Sequence, residues 1–147
     1  ESGYHQHPCA ENTFMRYKLM LGERLHARDG DAQVVEADRS RAGMWVAEHT
    51  PEDFRVLTGF GCPSFYCERF VFDYSGLNMT GNVGISHLLD TEHPEVLILC
   101  PFRTGIEPAD YVPRPGYIVV ECFETAWRTY DFYPVVMVRK DVAHRLH

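Results

Sequence analysis

The feature that most constrains the fold is a series of short β-branched and aromatic runs in the second half of the chain. The run "EVLILC" is apolar on both faces, which is typical of a strand buried on both sides. The runs "GYIVVECF" and "DFYPVVMVR" are β-branched and aromatic and are bounded by glycine and proline. In "FYCERFVFDY", alternation places Phe70, Phe72 and Tyr74 on one face. The second half of the chain is therefore predicted to consist mostly of strands.

Segments in the first half extend this β pattern. "TFMRYKLML" alternates as a half-buried strand does, and "AQVVEAD" and "AGMWVAEH" are predicted to be further strands. One short helix is predicted over about 51–58, because Thr50 can cap it, Pro51 suits its first position and Gly59 can end it.

The number of predicted elements indicates the fold class. About eight to ten strands with one short helix predict a mainly β protein, and strands of this number usually close into a barrel or pack as a sandwich. We expect an antiparallel β-barrel, with another β-rich fold and an α+β cone-shaped fold as alternatives. Residues 1–12 lack periodicity and are predicted to be an N-terminal arm, so residues 13–147 would form a single barrel domain.

Charge and hydropathy argue against two kinds of partner. The net charge is −7 and the 14 Lys and Arg residues are scattered singly, so no basic surface is predicted to bind nucleic acid. No apolar run reaches the ~18 residues of a membrane-spanning helix, so no membrane span is predicted. Aromatic residues make up 13 % of the chain, which suits a globular protein with a large aromatic interior.

Several features of the sequence favour a secreted, extracellular protein. The chain begins at Glu1 rather than methionine, and Asn78 opens an Asn-Met-Thr pattern for N-glycosylation. Five cysteines without a C-x-x-C pair fit two disulfides and one spare thiol, most readily Cys9, whereas wholly reduced cysteines would fit an intracellular protein. The connectivity is left open, and the disulfide candidates are Cys62, Cys67, Cys100 and Cys122.

Residues with catalytic or metal-binding chemistry do not form a recognisable constellation in the sequence. His5 and His7 have the spacing that puts two imidazoles on one side of an extended segment, but no third ligand lies near them in sequence. No nucleophile elbow, phosphate-binding glycine loop or H-E-x-x-H pattern is present. We therefore predict a non-enzymatic protein with no catalytic residue, no metal site and no cofactor.

Two short signatures resemble those of the lipocalins, a family of small secreted barrels. Gly43-Met44-Trp45 is similar to the glycine-x-tryptophan signature on the first barrel strand of that family, and Arg139 is similar to the arginine after its last strand. The resemblance implies a closed barrel in which Trp45 and Arg139 seal the bottom through a cation–π contact. It also implies a transport protein with a ligand inside the barrel.

The aromatic residues carry the functional prediction. A barrel of about eight strands encloses room for one small ligand, and a buried tyrosine can hydrogen-bond to it. The sequence therefore predicts a secreted carrier of one apolar or amphipathic molecule, such as a lipid, a pigment or a biogenic amine. Glu48, Glu68 or Glu121, if one of them faces inward, would favour the amine. The predicted ligand-binding residues are Tyr66, Phe70, Phe72, Tyr74, Tyr117, Phe123, Trp127 and Tyr133.

Two other functions are compatible with the same sequence. The chain can be a structural or interaction subunit, in a larger assembly or a homo-oligomer, whose exposed aromatics and irregular loops dock against neighbours. It can also be an enzyme on an α+β cone that uses a histidine and a carboxylate in a closed pocket.

Overall fold

A computed structural model describes residues 30–59, 61–74, 84–100, 110–124 and 133–147 of the chain. The described residues form one open sheet of five strands, with helices packed on both faces. In chain order the elements are α1 (Gly30–His49), β1 (Arg55–Thr58), α2 (Cys62–Tyr66), β2 (Phe70–Asp73), α3 (Ile85–Glu92), β3 (Val96–Leu99), β4 (Tyr117–Cys122), β5 (Val135–Arg139) and a 3₁₀ turn (Ala143–Arg145).

The sheet is mixed and has the strand order β2-β1-β3-β5-β4. Strands β2, β1 and β3 run parallel, whereas β5 is antiparallel to both of its neighbours, β3 and β4. Parallel strands need crossover connections, and α2 and α3 lie in the connections from β1 to β2 and from β2 to β3. The carboxyl ends of the three parallel strands therefore meet at one edge of the sheet.

Strand β3 lies at the centre of the sheet, and all four of its side chains are buried. Val96 and Ile98 join the apolar cluster under α1, and Leu97 and Leu99 join the cluster under α3. Burial on both faces explains why "EVLILC" is a continuous apolar run. The first cluster also contains Ala42, Val46, Phe54, Val56, Cys67, Val71, Val136 and Val138, and the second contains Leu57, Phe72, Leu88, Tyr117, Tyr133, Val135 and Met137.

The predicted antiparallel barrel is wrong. The described strands make an open sheet with β2 and β4 at its edges, and three of the five strands run parallel. The two strand predictions at "AQVVEAD" and "AGMWVAEH" are wrong because both segments lie within α1. Strand predictions in the second half are confirmed at β2, β3, β4 and β5. The predicted N-terminal arm and "TFMRYKLML" lie outside the described residues.

The helix predicted over about 51–58 is also wrong, because that segment forms a turn followed by β1. Thr50 does not begin a helix but follows the end of α1, where its hydroxyl donates a hydrogen bond to the Val46 carbonyl at 2.7 Å. Thr50 therefore marks the end of α1 and not the start of a new helix. A serine or threonine near a helix end can bond to a carbonyl four residues earlier, and the sequence pattern does not separate the two cases.

Arg69, just before β2, satisfies carbonyl groups at the end of α1. Its Nε donates to the Pro51 carbonyl at 2.9 Å, and its Nη2 donates to the carbonyls of Ala47 and Thr50 at 2.9 and 2.6 Å. The last carbonyls of a helix have no partner within the helix, so these bonds stabilise its terminus. They also tie α1 to the start of β2.

Helices α1 and α2 approach each other closely at Gly43. A Cβ atom at this position would lie 2.8 Å from the Pro63 carbonyl oxygen, 2.9 Å from the Tyr66 Cβ and 3.2 Å from the Cys67 backbone nitrogen. Two of these three neighbours are backbone atoms, which cannot rotate away. The close packing of α1 on α2 therefore requires a glycine at this position. Helix packing, and not a barrel, accounts for the glycine of the Gly-Met-Trp triplet.

We expect Gly43→Ala to lower the free energy of unfolding by about 1–3 kcal/mol, because the new methyl group overpacks the contact between α1 and α2. Urea unfolding followed by circular dichroism measures the change. Gly84→Ser is the control, since a Cβ there meets nothing within 4 Å and serine is a good residue for the cap of α3. Equal stability of Gly43→Ala and wild type would contradict the close approach.

An ion-pair network joins β1, β3 and β5 at the end of the sheet where the parallel strands begin. The Glu95 carboxylate accepts hydrogen bonds from the Arg55 backbone at 2.8 Å and from the Arg55 guanidinium at 3.0 and 3.1 Å. Arg139 lies 3.4 Å from the same carboxylate and pairs with Asp141 at 2.7 Å. Burial alone would raise the pKa of Glu95, but the hydrogen bonds from Arg55 outweigh it and lower the pKa below 4.5.

Because the pKa of Glu95 is lower in the folded state, its contribution to stability is present above about pH 4.5 and is lost as the pH falls through the lowered value. We expect Glu95→Gln to cost about 1–2 kcal/mol at pH 7 and less at pH 3, because the contribution of the carboxylate to stability decreases as the pH falls below 4.5. Urea unfolding at both pH values measures the difference. Asp141→Asn, at an exposed carboxylate, is the control and should change stability less; a cost of Glu95→Gln that is equal at both pH values would contradict the account.

Candidate functional site

The carboxyl edge of the parallel strands is the part of this fold that is suited to bind a ligand. Strands β1, β2 and β3 end there at Thr58, Asp73 and Leu99. The chain passes from β1 to β2 on one side and then crosses back to β3 on the other. In open α/β sheets, ligands bind outside the carboxyl ends of the strands at such a reversal.

A crevice of about 430 Å³ opens at this edge. It is lined by the start of α3 and by Tyr111, Val112 and Arg114 from the segment that leads towards β4. Cavities of about 300–1,000 Å³ are usual for small-molecule sites in proteins. The lining residues are Tyr74, Ile85, Leu99, Cys100, Tyr111, Val112 and Arg114.

The ring of Tyr74 lies over the end of β1, at Gly59, which has no side chain to displace it. A Cβ atom at Gly59 would lie 3.3 Å from both the hydroxyl oxygen and the Cζ of Tyr74, so the ring covers this position at close range. The backbone nitrogen of Tyr74 donates to the Thr58 carbonyl at 3.1 Å, which continues the pairing of β1 with β2. Burial is the main reason that the pKa of Tyr74 is raised above its ordinary value.

Tyr111, Val112 and Arg114 also line the crevice. The Tyr111 ring packs edge to face on the ring of Tyr133, with the centroids 6.3 Å apart. Burial raises the pKa of Tyr111, against an opposing effect of the Arg114 charge. Val112 is 80 % exposed, so its apolar side chain is accessible to a ligand.

The cysteines of the described residues are thiols rather than disulfides. Cys62 and Cys67 stand at the two ends of α2, and burial raises the pKa of the Cys67 thiol to about 11. Cys100 and Cys122 lie at the ends of β3 and β4, with β5 between them. Because two strand spacings measure about 10 Å, the Cα atoms are too far apart for a disulfide without movement of the backbone. The cysteines of the described residues therefore give no disulfide that would support an extracellular location.

Of the predicted ligand-binding residues that the structure describes, only Tyr74 lines the crevice. Phe72, Tyr117 and Tyr133 are buried in the cluster under α3, and Phe70 packs against it. The remaining three are Tyr66, which contacts Phe65 edge to face, Phe123, which packs on the cluster under α1, and Trp127, which lies outside the described residues.

The two residues predicted to seal a barrel have other contacts. The Trp45 ring stacks on His49 within α1, with centroids 4.5 Å apart. Arg139 pairs with Glu95 and Asp141 and donates to the His93 carbonyl at the amino end of β3. Since the sheet is open, the structure has no barrel bottom for a cation–π seal.

The carboxylates that would have favoured an amine ligand are not in the crevice. Glu48 and Glu68 are exposed, and Glu121 accepts a hydrogen bond from the Cys122 backbone at 2.9 Å. Asn78, the predicted glycosylation site, lies in a part of the chain that is not described. The described residues also include no cluster of three or more metal-binding side chains and no helix that is long and apolar enough to cross a membrane.

Six residues that line the crevice were not predicted to bind a ligand, namely Ile85, Leu99, Cys100, Tyr111, Val112 and Arg114. Leu99 and Cys100 could have been found as the carboxyl end of a strand buried on both faces, a pattern that is typical of parallel sheets with a ligand at that edge. Tyr111 and Arg114 lie in an irregular loop without periodicity, so no sequence signal relates them to β3.

No protein-family model, no curated protein and no solved structure matches this chain. The resemblance to lipocalins stays a prediction from two short signatures, whereas the barrel that it implies is replaced by the open sheet.

Proposed function

We propose that this protein is a small-molecule-binding domain that holds one amphipathic ligand in the crevice at the carboxyl edge of its parallel strands. The observation that carries the proposal is the position of the crevice, which lies where the strand order reverses and where loops from several elements meet. The site is an open crevice, so the ligand is bound at the edge of the sheet rather than inside a barrel.

The lining supplies both kinds of contact that an amphipathic molecule needs. Ile85, Leu99 and Val112 offer apolar surface, and burial of a ligand against such surface contributes about 25 cal/mol per Å². Tyr74 and Tyr111 add aromatic faces with a hydroxyl group each. Few polar groups on a mostly apolar wall is the usual composition of a small-molecule site.

The distribution of exposed apolar side chains favours a small ligand over a protein partner. Among the residues whose side chains are described, the large apolar ones that are exposed are Met44 and Val112, and they lie on different elements. A protein interface usually needs a contiguous apolar patch of several hundred Å². The role of structural subunit stays a prediction, as do secretion and glycosylation.

We expect 1-octanol, a neutral amphiphile, to bind in the crevice and to slow alkylation of the Cys100 thiol by iodoacetamide. Peptide mapping by mass spectrometry measures the rate at Cys100 as a function of octanol concentration. Val112→Ser should weaken binding about three- to fivefold, because it removes apolar surface that the ligand covers. Since Val112 is 80 % exposed in the free protein, this substitution should leave stability nearly unchanged.

The matched control is Met44→Ser, which removes an exposed apolar side chain from α1, away from the crevice. It should leave the protection of Cys100 by octanol unchanged. Failure of octanol to protect Cys100, or equal loss of protection in both serine variants, would refute a ligand site in the crevice.

A further inference from the structure

We propose that the ligand of the crevice carries one carboxylate group, which Arg114 binds, on an apolar body that lies against Ile85, Leu99 and Val112. This inference rests on the proposed function, because it concerns the same crevice and narrows the chemical class of its ligand.

Arg114 places a positive charge in the crevice of a chain whose net charge is −7. Among the residues that the structure describes, no other charged side chain lines the crevice. The carboxylates nearest in sequence to the lining residues do not line it: Asp73 is buried at the end of β2, and Asp110 is exposed. A single guanidinium matches a single carboxylate in charge and can donate two parallel hydrogen bonds to it.

The tyrosines add donors for the same group. Tyr74 and Tyr111 line the crevice, and both are protonated at neutral pH, as a phenol with the ordinary pKa of 10.0 already is. A protonated phenol can donate one hydrogen bond, and an ionised carboxylate only accepts them. Arg114, Tyr74 and Tyr111 therefore present donors to an acceptor, whereas an amine in their place would be repelled by the guanidinium.

The first turn of α3 is favourable for the same charge, although the guanidinium remains the principal partner. The helix begins at Ile85 in the wall of the crevice, its cap residue Gly84 has no side chain to bond to the first amides, and its first turn has no acidic residue. The amino end of a helix carries a partial positive charge. An acid at this wall is thus not opposed by a neighbouring carboxylate of α3.

The test compares three amphiphiles with the same eight-carbon chain, octanoate, 1-octanol and octylamine, at pH 7. Protection of the Cys100 thiol from iodoacetamide gives the affinity of each for the 147-residue chain. We expect octanoate to bind about tenfold more tightly than octanol, as one charge-assisted contact allows, and octylamine to bind more weakly than octanol. Arg114→Gln should lower the affinity for octanoate to about that for octanol.

Two further variants separate a specific contact from a general effect of charge. Lys140→Gln removes a positive charge from an exposed residue that does not line the crevice, and it should leave all three affinities unchanged. Arg114→Lys keeps the charge and should retain most of the preference for octanoate. Equal binding of the three amphiphiles, an equal loss of all three in Arg114→Gln, or an equal effect of Lys140→Gln would overturn the inference while the proposed function stands. If none of the three protects Cys100, both fail.

Discussion

The burial of β3 on both of its faces is the constraint on which the rest of the structure depends. Four consecutive apolar side chains project alternately into two clusters, so each face of the sheet must be covered by other elements. Helices α1 and α2 cover one face and α3 covers the other. A β hairpin cannot place helices in this way, whereas crossover connections between parallel strands do so directly.

The position of the crevice follows from the same constraint. Because β1, β2 and β3 run parallel, their carboxyl ends lie at one edge, and the residues after them, such as Tyr74 and Cys100, come together there. The opposite edge is held by the pairing of Glu95 with Arg55 and Arg139. One edge is thus fixed by ion pairs between strands, while the other is open to a ligand.

The strands of the second half could be predicted from the sequence, because alternation and β-branched runs depend on local burial. The parallel direction of β1, β2 and β3 could not, since "EVLILC" is equally apolar in either direction. Helix α1 was not predicted because its buried residues Ala42 and Val46 are four positions apart. This spacing fits one face of a helix, but over a short segment around Trp45 it also fits the alternation of a strand. The sequence analysis singled out Gly43 for its resemblance to a lipocalin signature, whereas the structure requires a glycine there for the contact with α2.

Of the residues that line the candidate site, Tyr74 is the one that the sequence analysis named as ligand-binding, and it follows a correctly predicted strand. Tyr111 and Arg114 reach the crevice through tertiary contacts of an irregular segment, and such contacts leave no periodic pattern in a sequence. The predicted aromatic ligand-binding residues are instead largely core, as Phe72 and Tyr133 are. Aromatic side chains in strands stabilise the interior of this protein more than they shape its site.

The most direct test of the central claim is the location of a bound amphiphile by NMR. Isotope-filtered nuclear Overhauser spectra of the ¹³C-methyl-labelled protein with 1-octanol would report which methyl groups lie beside the ligand. The account requires contacts from the alkyl chain to the methyl groups of Ile85, Leu99 and Val112. Contacts confined to other methyl groups, such as that of Met44 on α1, or no contacts at all, would contradict a ligand site at the carboxyl edge of the sheet.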